Sequence, residues 1–250
     1  MNDIIYDESG LQIGIADTLI KEKKMHNARI IAVTEPRIWT DTPDVPQRLT
    51  VDEFIAYVAR VSNPSNQNNT LTASKLLRYL AKHKHWSPFE MVNVVMEINT
   101  TRDIARQVLR HRSFAFQEFS QRYADPTMDL GFISREARLQ DEKNRQNSIE
   151  YDNPELQTAW RKKQEEVINN SQEAYNWAIR RGIAKEQARS VLPEGLTVSR
   201  MYMNGTLRSW IHYCQLRMGP ETQKEHREIA IDAWYQITDA FPSLKDALDI

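Results

Sequence analysis

Residues 92–123 read VNVVMEINTTRDIARQVLRHRSFAFQEFSQRY, and three patterns follow one another along that stretch. Val92, Val94, Met96 and Ile98 alternate with Asn93 and Glu97. Successive side chains point to opposite faces of a strand, so this is a half-buried strand with one apolar and one polar face. Thr100 or Thr101 then suits the N-cap of a helix with Asp103 in its first turn. On that helix Ile104 and Val108 form an apolar face, while Gln107, Arg110 and His111 fall at i, i+3 and i+4 on another. From Ser113 onward Phe114, Phe116 and Phe119 interleave with Glu118, Ser120 and Arg122, the rings reading as core and the polar groups as the lining of a cleft.

The chain on either side supplies more of both element types. Residues 30–36 read as a short strand ended by Pro36, and 37–49 as a loop. Thr50 with Glu53 forms a capping-box pattern opening a helix to about Val61. A polar segment over 62–70 precedes a helix over 72–84, with Leu76, Leu77, Leu80 and Ala81 at helical spacing. Downstream, Asn153 and Pro154 start a long amphipathic helix to Gly182, whose stripe of Leu156, Trp160, Val167, Ala174 and Ala178 reads as architectural. Residues 197–203 resemble a strand, Asn204 suits the cap of a helix through Met218, and Pro220 suits the start of a last helix carrying Ile229, Ala233 and Ile237. No internal repeat or linker divides the chain, so one domain over 29–250 is expected behind a variable extension over 1–28.

Composition narrows the function classes. With 40% hydrophobic residues and six Trp in 250 residues, the chain can fill a core. No long apolar run or secretory leader is evident, and the single Cys214 cannot form an internal disulfide, so a cytoplasmic protein without membrane partners is expected. Net charge is -1, which argues against a nucleic-acid-binding module built on the Arg-rich helix and the three Phe. His83, His85 and His111 lack metal-ligand spacing, so a metal hydrolase is also disfavoured and no metal is expected. The seven glycines form neither G-x-G-x-x-G nor a P-loop, so any nucleotide must be held by arginine forks and helix N-termini.

Between Thr101 and Tyr123 there are five arginines and no lysine. Guanidinium forks match phosphate bidentately, which favours anion recognition, although pairing with carboxylates at a surface or subunit contact is the alternative. Arg110-His111-Arg112 followed by Glu118, Ser120, Arg122 and Tyr123 resembles the signature R-H-R-x-x-S-x(4)-S-x-R of flavin-dependent thymidylate synthases. Ala115 stands where that signature has its first serine and Gln117 where Asn is common, while Ser120 keeps its place. Ala59-Arg60-Val61-Ser62, the block from His83 to Glu90, Ala188 to Pro193, and Leu207-Arg208-Ser209-Trp210 through Arg217 are similar to further segments of the family, in its order.

The resemblance implies an α/β (α+β) fold, a twisted, mostly antiparallel sheet flanked by helices, assembled as a homotetramer with FAD at subunit interfaces. It implies reductive methylation of dUMP to dTMP, with 5,10-methylenetetrahydrofolate as carbon donor and NADPH as reductant. By the same resemblance Gln107, Arg110, Glu118, Ser120, Gln121, Arg122, Arg189 and Arg217 would hold dUMP, with Arg217 catalytic through contact with the uracil. Ser87, Arg110, His111, Arg112, Glu118, Thr206, Leu207, Arg208 and His212 would contact FAD. Arg208 and His212 lie at i and i+4 on one helical face, whereas Arg217 is expected nearly opposite. Cys214 sits among Ile211, Tyr213 and Met218 and reads as structural, so no cysteine nucleophile is expected.

Overall fold

The computed structural model describes residues 25–40 and 47–245, with the backbone of Ile5–Tyr6 and Gln12–Ile13, which pair antiparallel. Most of the expected extension over 1–28, and 41–46 of the expected loop, lie outside the described residues.

Strands β1 (Asn27–Val33), β2 (Asn93–Thr101), β3 (Ala115–Glu118) and β4 (Val198–Thr206) form one antiparallel sheet in the order β1-β2-β4-β3. The alternation in β2 sets its faces. Val94, Met96 and Ile98 are wholly buried, and Met96 and Ile98 lie opposite Met203 and Met201 of β4, also wholly buried. The other face is polar, with Arg29 Nη2 3.3 Å from Glu97 Oε1 and Arg200 Nε donating to Asn99 Oδ1 at 2.8 Å across neighbouring strands.

Helix α1 (Val51–Ala59) opens with the expected capping box, Thr50 Oγ1 accepting from Glu53 N and Glu53 Oε2 accepting from Thr50 N at 2.7 Å. Helix α2 (Ala73–Lys82) closes with His85 N donating to Leu80 O and Lys84 N to Ala81 O, a Schellman pattern. Lys84 takes the left-handed position at φ 58°, where glycine is usual, and the turn delivers Trp86 and Ser87. Thr101 rather than Thr100 occupies the N-cap position of α3 (Arg102–Val108), its hydroxyl donating to Asp103 Oδ1 at 2.6 Å instead of capping a backbone N–H, while Thr100 has His26 Nδ1 2.9 Å from its hydroxyl.

Helices α5 (Leu207–Arg217) and α6 (Lys224–Ala240) cover the apolar face of the sheet. Trp210 is fully buried with its indole N–H donating to Val94 O at 3.0 Å, and Ile229, Ala233 and Ile237 are wholly buried on α6. Burial of each large apolar side chain stabilises the fold by roughly 1.5–3 kcal/mol. Helix α4 (Pro154–Arg180) differs. Tyr175 and Ala178 near its end are buried, but Leu156, Trp160 and Val167 remain 38, 44 and 45% exposed, so most of its expected stripe is only partly covered among the described residues.

The expected antiparallel sheet flanked by helices is present, and several boundaries shift. β4 runs on through Thr206, so Asn204 stays in the strand opposite Val95 and Ala115, and Thr206 caps α5 instead. The last helix begins at Lys224 after a turn in which Thr222 N donates to Gly219 O, rather than at Pro220. The segment after Arg112 contains β3, an edge strand that the interleaved aromatics hid. Helix α3 ends at Val108, so Arg110 and His111 leave the helix and do not share a helical face with Gln107.

Candidate active site

One tight turn follows α3, with Arg110 N donating to Gln107 O and His111 N to Val108 O. It turns out Arg110, His111 and Arg112 before β3 begins. Opposite them stands the first part of α5, whose start is fixed by Thr206. That hydroxyl accepts from Ser209 N at 3.2 Å and donates to Glu90 Oε2 at 2.7 Å. Glu90 also receives Arg208 Nη1 at 2.7 Å, so one carboxylate ties the helix N-terminus to the arginine beside it.

Between these elements lies a cavity of about 590 Å³, walled by Trp86, Arg110, Arg112, Arg208, His212 and Arg217 among others, with no carboxylate in its lining. Its size falls in the range of small-molecule sites. Four guanidiniums, of which Arg208 is paired with Glu90 behind the wall, outnumber the carboxylates around it among the described residues and make it a site for an anion, and the Trp86 indole offers an apolar wall. Arg217, expected on the far side of α5, reaches this cavity from the last residue of the helix, and its Nε donates to His111 Nε2 at 2.9 Å. That contact requires a lone pair on Nε2, so His111 is neutral with its proton on Nδ1. Burial, then the charges of Arg217, His212 and Arg110, push the imidazole down to about 4, in agreement with the geometry.

Phe114 packs its ring against Trp210, with centroids 4.9 Å apart, and against the backbone of Gly205, where any Cβ would run into the ring. Only glycine lets β3 lie this close to β4, which fixes where the Arg110–Arg112 turn ends. Cys214 is wholly buried on α5, and burial drives its thiol far above the ordinary range, so no thiolate is available as a nucleophile.

A second polar cluster forms at the other end of β3. Glu118 Oε1 accepts from Ser199 Oγ at 2.9 Å and from Arg102 Nη1 at 3.4 Å, and Glu194 lies 3.9 Å from Arg102 and 3.6 Å from Arg106. Next to it Ser120 Oγ accepts from Arg122 N, Arg122 Nε lies 3.6 Å from Glu186 Oε2, and Arg189 Nε donates to Glu186 O. Gln121 is buried with no partner for its Nε2.

The expected residues therefore fall into separate groups within one chain. Arg110, His111, Arg112, Arg208, His212 and Arg217 share the cavity. Ser87 lies exposed beside Trp86, Thr206 caps α5, and the Leu207 side chain is in the core. Glu118, Ser120, Gln121, Arg122 and Arg189 belong to the second cluster, and Gln107 points inward, donating to Gln223 Oε1 at 2.7 Å. Sequence reasoning assigned no role to Trp86 or Gln215. Gln215 stands seven residues after Arg208, and that helical spacing was the available signal.

A family model described as "Thymidylate synthase complementing protein" matches residues 47–243. The chain is 48% identical to a probable flavin-dependent thymidylate synthase of Paramecium bursaria Chlorella virus 1, over 89% of this chain and 99% of the relative. It is 46% identical, with the same coverage, to a flavin-dependent thymidylate synthase of Synechocystis. Among solved structures, a UMP/dUMP methylase, PolB, from Streptomyces cacaoi bound with 5-Br dUMP shares the fold, with a TM-score of 0.70, 21% identity, and coverage of 88% of this chain and 93% of that one.

Proposed function

The chain belongs to the family of flavin-dependent thymidylate synthases, and on that premise we propose that it methylates dUMP reductively to dTMP with FAD as cofactor, NADPH as reductant and 5,10-methylenetetrahydrofolate as carbon donor. The observation that carries the reading is the cavity in which four guanidiniums meet with no lining carboxylate, beside an α5 whose only thiol is sealed in the core. With Cys214 sealed, the chain offers no thiolate to activate the pyrimidine covalently, and the cavity suits a redox cofactor that would supply the electrons of the methylation. Arg110, Arg112 and Arg208 fit a diphosphate, and the Trp86 wall and His212 fit the uncharged remainder.

When bound there, FAD supplies the electrons that the methyl transfer consumes. The chain's own groups have simpler tasks. Arg217 directs a permanent cation at the uracil, where negative charge develops as C5 becomes nucleophilic, and His111 holds that arginine through a neutral acceptor nitrogen. Arg122 and Arg189 fit the nucleotide phosphate, and Ser120 and Gln121 fit its sugar and base. We assign Ser120 to binding rather than attack, supported by the lack of a hydrogen-bonded His or carboxylate at its hydroxyl among the described residues.

The site is shared between subunits of a homotetramer, with FAD at their junctions. Two observations support this. The cavity and the Ser120–Arg122–Arg189 cluster lie at opposite ends of β3, and α4 leaves Leu156, Trp160 and Val167 exposed along one chain. No helix among the described residues is long and apolar enough to cross a membrane, and we place the enzyme in the cytoplasm.

Incubation of the purified protein with FAD, NADPH, methylenetetrahydrofolate and labelled dUMP tests the reading. A yellow protein that forms dTMP is expected, and Arg217→Ala should lower turnover roughly 10²- to 10³-fold with flavin still bound. A protein that ignores FAD, or an Arg217→Ala variant at the wild-type rate, would refute it.

A further inference from the structure

A chain of hydrogen bonds with a forced direction runs behind the cavity, from Arg138 to Tyr213. Arg138 Nη2 pairs with Glu225 Oε1. Burial works to raise the Glu225 carboxyl, but its own backbone N–H, Arg138 and Gln223 outweigh it and hold the group below the usual carboxylate range. A carboxylate only accepts, so Gln223 turns its amide N–H to Glu225 Oε2 at 2.9 Å and its oxygen to Gln107. Gln107 must then donate through Nε2 to Gln223 Oε1 at 2.7 Å and turn its own oxygen to His226, 3.4 Å from Nδ1. The proton of His226 therefore sits on Nδ1, which leaves Nε2 to accept the Tyr213 hydroxyl at 3.1 Å. Amide and imidazole orientations are usually ambiguous, and here the carboxylate at one end decides all of them.

We propose that His226 and Tyr213 are positioning residues: the Nδ1–H of His226, held in place by Tyr213, anchors the oxygen of the Gln107 amide whose sense Gln223 sets, so that its remaining N–H and lone pair are held in one position for the nucleotide. The proposal rests on the assignment of Gln107 to dUMP. His226 and Tyr213 are both wholly buried, and burial, then Arg217 and His111, push the His226 imidazole down to about 3, so the ring carries one proton and has one donor to give. An apolar pair of similar size would fill the same space without the cost of desolvating two polar groups. The chain instead runs through Gln107, which is only partly buried and is the member assigned to ligand. Tyr213 also stands edge-on to His111, with centroids 4.9 Å apart and planes at 79°, so the same phenol ring buttresses the partner of Arg217.

The test compares His226→Leu, His226→Asn, Tyr213→Phe and Gln107→Ala for dUMP KM, kcat, flavin titration and thermal midpoint. His226→Leu is expected to raise the dUMP KM roughly tenfold with a smaller change in kcat and unchanged flavin affinity. His226→Asn, whose amide N–H occupies the place of Nδ1–H, should restore most of the affinity. Tyr213→Phe frees the ring proton to move to Nε2 and should raise KM roughly threefold. A wild-type KM in both His226→Leu and Tyr213→Phe, with KM raised in Gln107→Ala, would overturn this inference alone. A wild-type KM in Gln107→Ala would overturn it together with the assignment of Gln107. If His226→Leu does not fold, Tyr213→Phe decides, since it removes a single oxygen. Failure of His226→Asn to outperform His226→Leu would reduce the pair to packing and overturn the proposal.

Discussion

At Arg217 the important atom belongs to its neighbour. The guanidinium Nε donates to His111 Nε2, and only a neutral ring can accept it. His111 and His226 both have folded values far below the ordinary 6.5, about 4 and about 3. The folded protein therefore binds fewer protons at these rings than the unfolded chain, and stability rises with pH across the interval. The contribution is fully present above about pH 6.5 and is lost as pH falls through it, more for the wholly buried His226 than for the half-buried His111. Asp103 and Glu225, whose carboxyls are held below their usual range, contribute stability that is fully present at neutral pH and is lost only as pH falls below the ordinary carboxylate range, which separates the two effects. Urea midpoints measured from pH 7 to pH 5 should fall in the wild type, and fall less in His111→Asn. Equal midpoints across that range would mean that the rings are charged or solvated in the fold.

At the scale of elements, α5 carries the site because of how it starts. Thr206 serves as last residue of β4, N-cap of α5 and partner of Glu90. Thr206→Ala should cost about 1 kcal/mol of stability, as loss of an N-cap generally does. It should also weaken flavin binding, because Arg208 and His212 lie in the first two turns; a thermal midpoint and flavin affinity equal to wild type would remove Thr206 from this role. The capping box at Thr50, the alternation in β2 and the Asn153 cap of α4 were legible in the sequence because each is set by residues within a turn or two of one another. The start of α5 was not. Asn204 is as good a capping residue as Thr206, and what displaces it is the pairing of β4 with β2 and β3, a contact across the chain. Strand β3 was hidden for a similar reason, since its alternating Phe116 and Gln117 become a strand only against Met203 and Tyr202.

At the scale of the whole molecule, the sequence named guanidiniums for the site but did not show where they meet. Local spacing put Arg208 and His212 on one face correctly. It placed Arg217 opposite, because spacing takes no account of a long side chain at a helix end turning back to His111. Nor could it show that Glu118, Ser120, Arg122 and Arg189 gather at the far end of β3, away from the cavity, where Glu186 offsets part of the charge of Arg122. That division is the basis of the proposal that the site is completed between subunits, and mixed oligomers test it most directly. Arg208→Ala carries a defect in the cavity and Arg189→Ala one in the second cluster, and each should be inactive alone. Coexpression of the two should return roughly a quarter of wild-type dTMP formation, the share of junctions that draw an intact half from each subunit in a symmetric oligomer. A mixed preparation as inactive as either variant would place the entire site within a single chain and contradict the account.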